Sequence, residues 1–222
     1  MTAYTLYYWP GVGGRAEFIR LILEDAGSKY KEVNDVEKIK AICSVASSTA
    51  EGWPTFAPPI LEKPGGFRLS QTPAICRYLG GTLGYSAQPT NPVSEAKVDQ
   101  ANQDVHDFIA ELFKMVTGGG ADEEAKANFF GRMELWMAHF ERALKANNGG
   151  SGLYLVGQKP TCADFALLVA LKGVETIYPG YLGHANLGLL AKFKQRIEAR
   201  PHLRNYFKSD RCKPLFGSKL DE

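Results

Sequence analysis

Hydrophobic and polar positions divide the chain into two dissimilar halves. Tyr4 to Trp9 is a run of strand-forming, mostly aromatic residues. Pro10 and the glycines Gly11, Gly13 and Gly14 interrupt it. Phe18, Ile19, Ile22, Leu23 and Ala26 then recur at three- and four-residue spacing, which predicts an amphipathic helix closed by Gly27. Lys29 to Val33 predicts a second strand. The pattern weakens from Asn34 to Phe56, where Val36, Ile39 and Ile42 suggest a short helix and Ser44 to Gly52 is small and polar. Ile60 to Leu69 predicts a hairpin turning at Lys63-Pro64-Gly65-Gly66. Thr72-Pro73 predicts a helix start with Thr at the cap, carrying Ile75, Tyr78 and Leu79 on one face.

Gly80 to Pro92 has little periodicity and predicts a linker. Beyond it the strand signal almost vanishes. Ser94 to Val116 predicts one helix, striped by Val98, Ala101, Val105, Phe108, Leu112 and Met115 and stopped by Gly118-Gly119-Gly120. Asp122 to Ala146 predicts another, and Asn147 to Gly152 a loop. Thr161-Cys162-Ala163-Asp164 predicts a helix opened by a capping box with Asp in place of Glu. A further helix is predicted at about Leu187 to Ala199, ended by Arg200-Pro201. The segment from Cys212 onward shows no clear element. The expected organisation is an α/β domain over 1–82, a linker over 83–93 and an all-helical domain over 94–222, with no internal repeat.

At 222 residues the chain is long enough to bury a substantial core. Its 26 basic and 24 acidic residues are nearly balanced, which argues against a nucleic-acid partner bound through phosphate neutralisation. The opening MTAYTLYYW has no charged leader region, so no signal peptide is expected. No apolar run reaches membrane-spanning length. The closing SKLDE matches neither a terminal SKL nor a KDEL address. Cys43, Cys76, Cys162 and Cys212 form no CxxC pair or zinc spacing, so they are expected to be reduced packing residues of a cytoplasmic protein without a metal.

Gly11-x-Gly13-x-x-Ala16 follows a strand, opens a helix and precedes Asp35 by about twenty residues, which fits a relaxed dinucleotide-binding fingerprint. A doubly wound sheet would need further strand–helix alternation, whereas this chain turns helical after Pro92.

A second reading rests on several segments in order. YTLYYWPGVGGRAEFIRLIL, APPIL, LSQTPAICRYL and LVGQKPTCADFALL together resemble a cytosolic glutathione transferase of the tyrosine type. The resemblance covers nearly the whole chain. It implies a thioredoxin-like N-terminal domain, an all-helical C-terminal domain and a homodimer with one glutathione site per subunit. The implied activity is conjugation of the glutathione thiolate to hydrophobic electrophiles, with peroxidase or isomerase chemistry open to the same thiolate. A non-catalytic binding or structural protein of the same fold is the alternative.

The chemistry is consistent with the residue types. A free thiol, with a pKa of about 8.5, is a few per cent ionised near neutrality. A tyrosine hydroxyl donating to the sulfur favours the thiolate. Tyr8, before Trp9-Pro10, matches the family's tyrosine; Tyr7 points to the opposite face by strand alternation, and Tyr4 lies early. All three also suit sheet packing. Arg15 resembles the family's assisting arginine, or is a first-turn surface residue. Gln71 and Thr72 match the pair that meets the γ-glutamyl carboxylate. Pro59 matches the family's cis-proline, and the preceding Pro58 lacks the N–H that usually meets the cysteinyl backbone. Lys38, Lys40 and Trp53 are candidates for the glycyl carboxylate. Gln103 and Asp104 lie where the family places an aspartate that reaches the neighbouring subunit's glutamyl amine. The electrophile is expected in an apolar cleft between the domains, with Trp9, Val12, Leu112, Phe113, Met115 and Val116 as walls and Phe216 as a lid. The helical members of that set suit a core equally well.

Overall fold

The computed structural model describes residues 4–43, 53–87, 90–118, 122–147, 152–184 and 186–217. The polar stretch 44–52, glycines 119 and 120, most of the loop 147–152 and the SKLDE end therefore lie largely or wholly outside the described residues.

The first compact unit comprises residues 1–79 and 201–218. Its sheet has the order β2-β1-β3-β4, built from β1 Tyr4–Tyr7, β2 Tyr30–Val33, β3 Ile60–Lys63 and β4 Phe67–Ser70. β1 runs parallel to β2, with Tyr4 opposite Tyr30, and antiparallel to β3, with Tyr7 opposite Ile60. The predicted hairpin closes as β3–β4. A crossover between parallel strands needs an intervening helix, and α1 Glu17–Asp25 supplies it after a single 3₁₀ turn at Gly14–Ala16. This mixed four-stranded sheet with its βαβ start is thioredoxin-like. The face carrying Tyr4 and Leu6 is buried; on the other face Tyr7 packs with Ile39, Ile42, Cys43 and Ile60, the first three contributed by α2 Val36–Ile42 and its C-terminal cap.

α1 is buried on nearly every side, including Phe18, Ile19, Leu21, Ile22 and Leu23 at 0% exposure. A helix apolar over more than one face needs a second cover, and it comes from the far end of the chain. α9 Pro201–Phe207 packs against α1. The boundary read from sequence assigned everything after residue 94 to the helical domain; the contacts place 201–218 with the first unit. Pro201 ends one helix and, as an N1 proline, starts the next. Three long-range contacts hold the returning segment: Tyr206 donates to Glu17 at 2.9 Å, His202 Nδ1 lies 3.0 Å from the Asp25 carbonyl, and Arg211 pairs bidentately with Glu24.

The second unit comprises 80–200 and is helical among the described residues. α3 Thr72–Leu83 runs into the stretch predicted as linker. Gly80 is present for close approach: a Cβ there would meet the Tyr85 carbonyl at 3.2 Å and Cys162 Sγ at 3.3 Å. α4 Pro92–Thr117 and α5 Glu123–Ala146 are capped by Asn91 and Asp122 respectively. They pack together; α4 and α8 Gly188–Glu198 pack against α6 Cys162–Ile177, which is buried along most of its length, and α8 also packs against α5. A short α7, Tyr181–His184, was not legible in the pattern. At the start of α6, Asp164 accepts from the Thr161 N–H at 2.7 Å, the Thr161 hydroxyl at 2.8 Å and the Leu155 N–H at 2.8 Å.

Candidate functional site

Tyr8 follows the last residue of β1 and continues beside β2: its N–H donates to the Val33 carbonyl at 3.2 Å, and its carbonyl accepts from the Asn34 amide at 3.0 Å. Alternation therefore persists, and Tyr8 (6% exposed) shares the buried face of Tyr4 and Leu6. Its phenol ends at the turn before α1. There the Arg15 backbone N–H donates to Tyr8 Oη at 2.7 Å. The oxygen is satisfied as an acceptor, and its own proton remains to be donated. Burial raises the Tyr8 pKa above 10; the Arg15 N–H and the charges of Arg20 and Arg15 oppose this without overcoming it. At neutral pH the group is a protonated phenol.

Gly14 makes that approach possible. It has φ +49°, and a Cβ there would stand 2.3 Å from Tyr8 Oη. The turn that carries the candidate dinucleotide fingerprint thus serves the tyrosine through Gly14. Two of its amides are also occupied: the Gly13 N–H donates to the Pro214 carbonyl at 2.7 Å and the Gly14 N–H to the Leu215 carbonyl at 2.9 Å. Asp35 caps α2, accepting from Glu37 and Lys38 N–H groups at 3.1 Å. A four-stranded mixed sheet with these donors spent does not form a pyrophosphate cradle.

Arg20 was missed in the sequence. It is 1% exposed, bonds Glu32 at 2.6 and 3.0 Å, lies 3.3 Å from Glu17 and donates to the Gly13 carbonyl at 2.9 Å. Its guanidinium carbon lies 5.9 Å from the Tyr8 ring centroid. Burial would lower its pKa, but the Glu32 and Glu17 carboxylates reverse this and the net shift is upward. Its i,i+3 spacing from Glu17 was visible in the sequence; Glu32 and Tyr206 were not placed by any local signal.

Gln71 and Thr72 form the second part of the site. Gln71 has φ +71°, rare outside glycine. Thr72 is the first residue of α3 rather than its cap, and its buried Oγ1 has no hydrogen-bond partner among the described residues. A buried unpaired hydroxyl at a helix N-terminus is a place where an anionic ligand group would complete the bonding. The Pro58–Pro59 bond is cis, as the resemblance implied for Pro59.

Other candidates are placed differently. Lys38 and Lys40 are exposed on α2 and pair locally with Asp35 and Glu37 at 3.5 and 3.1 Å. Trp53 is 77% exposed and Trp9 38%, while Val12 is half-buried and Arg15 exposed. In the helical unit, Asp104 is engaged by His139 Nε2 at 3.0 Å; Gln103 is exposed, as is Asp107 one turn on. Leu112 is fully buried and belongs to the helical core, because the α4 stripe faces α6. Phe113, Met115 and Val116 are half-buried, and Met115 lines a cavity of about 470 Å³ with Lys114, Phe129 and Arg132. Phe216 is 4% exposed and is an anchor of the tail, not a lid.

The similarities to known proteins agree with this geometry. Residues 104–210 match a family profile described as the glutathione S-transferase C-terminal domain. Human glutathione S-transferase P is 31% identical over 213 residues, covering 94% of this chain and 93% of its own. Glutathione S-transferase P 2 of Bufo bufo is 31% identical, covering 98% and 99%. Among solved structures, the glutathione S-transferase of Ascaris lumbricoides superposes with TM-score 0.73 at 26% identity over 96% of this chain and 100% of that one. A Nu-class enzyme from Haemonchus contortus gives TM-score 0.77 at 25% identity over 97% and 100%. With relatives at 31% identity matched over nearly their whole length and this one's, the chain belongs to the glutathione S-transferase family.

Proposed function

We propose that this protein conjugates the thiolate of glutathione to hydrophobic electrophiles, and that Tyr8 is the residue that holds the sulfur ionised. The observation that carries this is the Tyr8 hydroxyl, fixed as an acceptor of the Arg15 amide at 2.7 Å and protonated at working pH. Such a phenol donates its hydrogen to an approaching sulfur. A hydrogen bond to a charged acceptor is worth about 1.5–3 kcal/mol, which lowers a thiol pKa by about one to two units. The nucleophile belongs to the cosubstrate, so the protein's tasks are orientation and thiolate stabilisation.

In this reading Thr72 Oγ1 and the first amides of α3 receive the γ-glutamyl carboxylate. The Pro58 carbonyl accepts from the cysteinyl amide, with one backbone bond fewer than a residue bearing an N–H would make. Arg15 adds positive charge near the sulfur. The glycyl carboxylate falls to Lys38, Lys40 or Trp53. Trp9 and Val12, in the turn that follows Tyr8, contact the electrophile. A homodimer accompanies the reading: exposed Trp53 and Phe56 (64%) are large apolar side chains that association would cover, and Gln103 or Asp107 replaces Asp104 as the group offered to the neighbouring amine.

Tyr8→Phe tests the assignment. Removing one charge-assisted bond should reduce turnover of a chloroaromatic electrophile by about 10- to 150-fold, with the fold retained and retention on immobilised glutathione nearly unchanged. Equal turnover in the variant would refute the role of Tyr8.

A further inference from the structure

The Arg15 amide can meet Tyr8 only while the turn 13–15 keeps its shape, and that turn is held from the far end of the sequence. Gly13 and Gly14 donate their N–H groups to the carbonyls of Pro214 and Leu215 at 2.7 and 2.9 Å. The contact is close-fitting: a Cβ on Gly13 would stand 3.1 Å from the Lys213 and Pro214 carbonyl oxygens and 3.3 Å from Leu215 Cα. The next residue, Phe216, is buried. The Gly13 carbonyl in turn accepts from Arg20. Two successive amides and one carbonyl of the turn are thus fixed immediately before the amide that bonds the phenol.

We propose that residues 213–216 are a positioning strap for the sulfur site, acting through the 13–15 turn on the donor strength of Tyr8. An N–H donated to Oη withdraws electron density from the oxygen and makes its own O–H a better donor, as linked hydrogen bonds reinforce each other. Loosening the strap lets the turn relax, lengthens the Arg15–Tyr8 bond and weakens the bond from Tyr8 to sulfur. The strap touches no reacting atom. The charged groups facing the phenol among the described residues are Arg15 and Arg20, and neither is altered by the changes below. The inference rests on the role given to Tyr8 in conjugation.

Two variants loosen the strap from opposite sides. Gly13→Ala, at φ −65° where alanine is unstrained, pushes Pro214 away; Phe216→Ala removes the anchor. Arg211→Ala breaks the ion pair of the same tail with Glu24 at the other end of α1 and the contact of Arg211 with the Tyr206 ring, leaving 213–216 untouched, and serves as control. The pH profile of kcat/KM for conjugation, and the ultraviolet absorbance of bound thiolate, report the sulfur pKa. Both strap variants should shift it upward by a few tenths of a unit, about 10–30% of what one charge-assisted bond supplies, and Arg211→Ala should leave it in place. Unshifted profiles in folded Gly13→Ala or Phe216→Ala overturn the strap while leaving Tyr8's role intact. Absence of glutathione-dependent turnover in the wild type overturns that role instead. The strap is then judged on the phenol itself, by titrating the absorbance difference between each background with and without Tyr8→Phe. A Tyr8 ionisation raised in the strap variants supports it, and an unchanged one refutes it. Should either variant fail to fold, the other carries the test, and removal of residues 213–222 supplies a third.

Discussion

Asp164 offers a quantitative test of how the helical unit is held. Its carboxylate is fully buried and accepts three hydrogen bonds: two from backbone N–H groups, of Leu155 and Thr161, and one from the Thr161 hydroxyl. Burial disfavours the charge, the donors favour it, and burial wins: the pKa rises from 3.8 to about 6. At about 1.36 kcal/mol per unit, the difference is worth about 3 kcal/mol. The folded-state pKa lies above the unfolded one, so the native state binds the extra proton. This contribution is therefore complete below about pH 4 and is lost as pH rises through about 6. Asp164→Asn has no such titration, so its stability relative to the wild type should rise by about 3 kcal/mol between pH 4 and 7. Asp164→Ala leaves two buried N–H donors without an acceptor, at about 1–3 kcal/mol each, and should cost about 3–5 kcal/mol near pH 4; lacking the same titration, it should show a deficit that shrinks by about 3 kcal/mol toward pH 7. The cost near pH 4 exceeds the roughly 1 kcal/mol of an ordinary helix cap, because Asp164 also ties down Leu155 in the preceding loop. Urea unfolding, followed by circular dichroism and by Trp136 fluorescence within this unit, gives the profiles. Parallel pH dependence of wild type and Asp164→Asn would refute the balance of burial over hydrogen bonding.

Gly14→Ala should abolish glutathione-dependent turnover at least as completely as Tyr8→Phe, since the new methyl would stand 2.3 Å from Tyr8 Oη; full activity would show that the turn does not support the phenol. Arg20→Met should destabilise the first unit by about 3–5 kcal/mol at pH 7, because it leaves the Glu17 carboxylate buried without its cation. That deficit should shrink on acidification: a buried carboxylate that has lost its cation has a raised folded-state pKa, so stability is regained as pH falls and the group is protonated. A deficit that did not change between pH 7 and 4 would mean that the partners left to Glu17, Tyr206 among them, satisfy it.

Features decided by near neighbours were legible in the sequence. Tyr4, Leu6 and Tyr8 share parity, so alternation set Tyr8 and Tyr7 on opposite faces, while the choice of Tyr8 came from the resemblance at Trp9-Pro10; the structure keeps that parity one residue past the end of β1. The Thr161–Asp164 box and the β3–β4 hairpin are four- to ten-residue motifs and were read correctly. Features decided by distant partners were not. Period 3.6 grouped Leu112 and Met115 on one stripe, but could not tell that α6 lies under Leu112 and buries it completely. The partner of Asp104, His139, is 35 residues away on another helix, and no local pattern pairs them. The helix Pro201–Phe207 went unread because its reason for existing is the second face of α1, and Tyr206 meets Glu17 across 189 residues.

The glycine-rich turn shows why a short motif needs its surroundings before it carries chemistry. Gly11-x-Gly13-x-x-Ala16 between a strand and a helix is compatible with two physical arrangements. In one, the amides of the turn point outward and receive an anion. In the other, they are spent inside the chain and the glycines exist for want of a Cβ. Here Gly13 and Gly14 donate to carbonyls some two hundred residues later, and the next amide, of Arg15, turns to a tyrosine seven residues earlier. The same three donors that would cradle a phosphate instead fix one phenolic oxygen, leaving its proton available. What separates the two arrangements is the path of residues 213–216, which no local pattern around the glycines encodes. A segment far from the motif thus determines which chemistry the motif can perform, and this is why perturbing Phe216 is expected to register in the ionisation of a sulfur it does not touch.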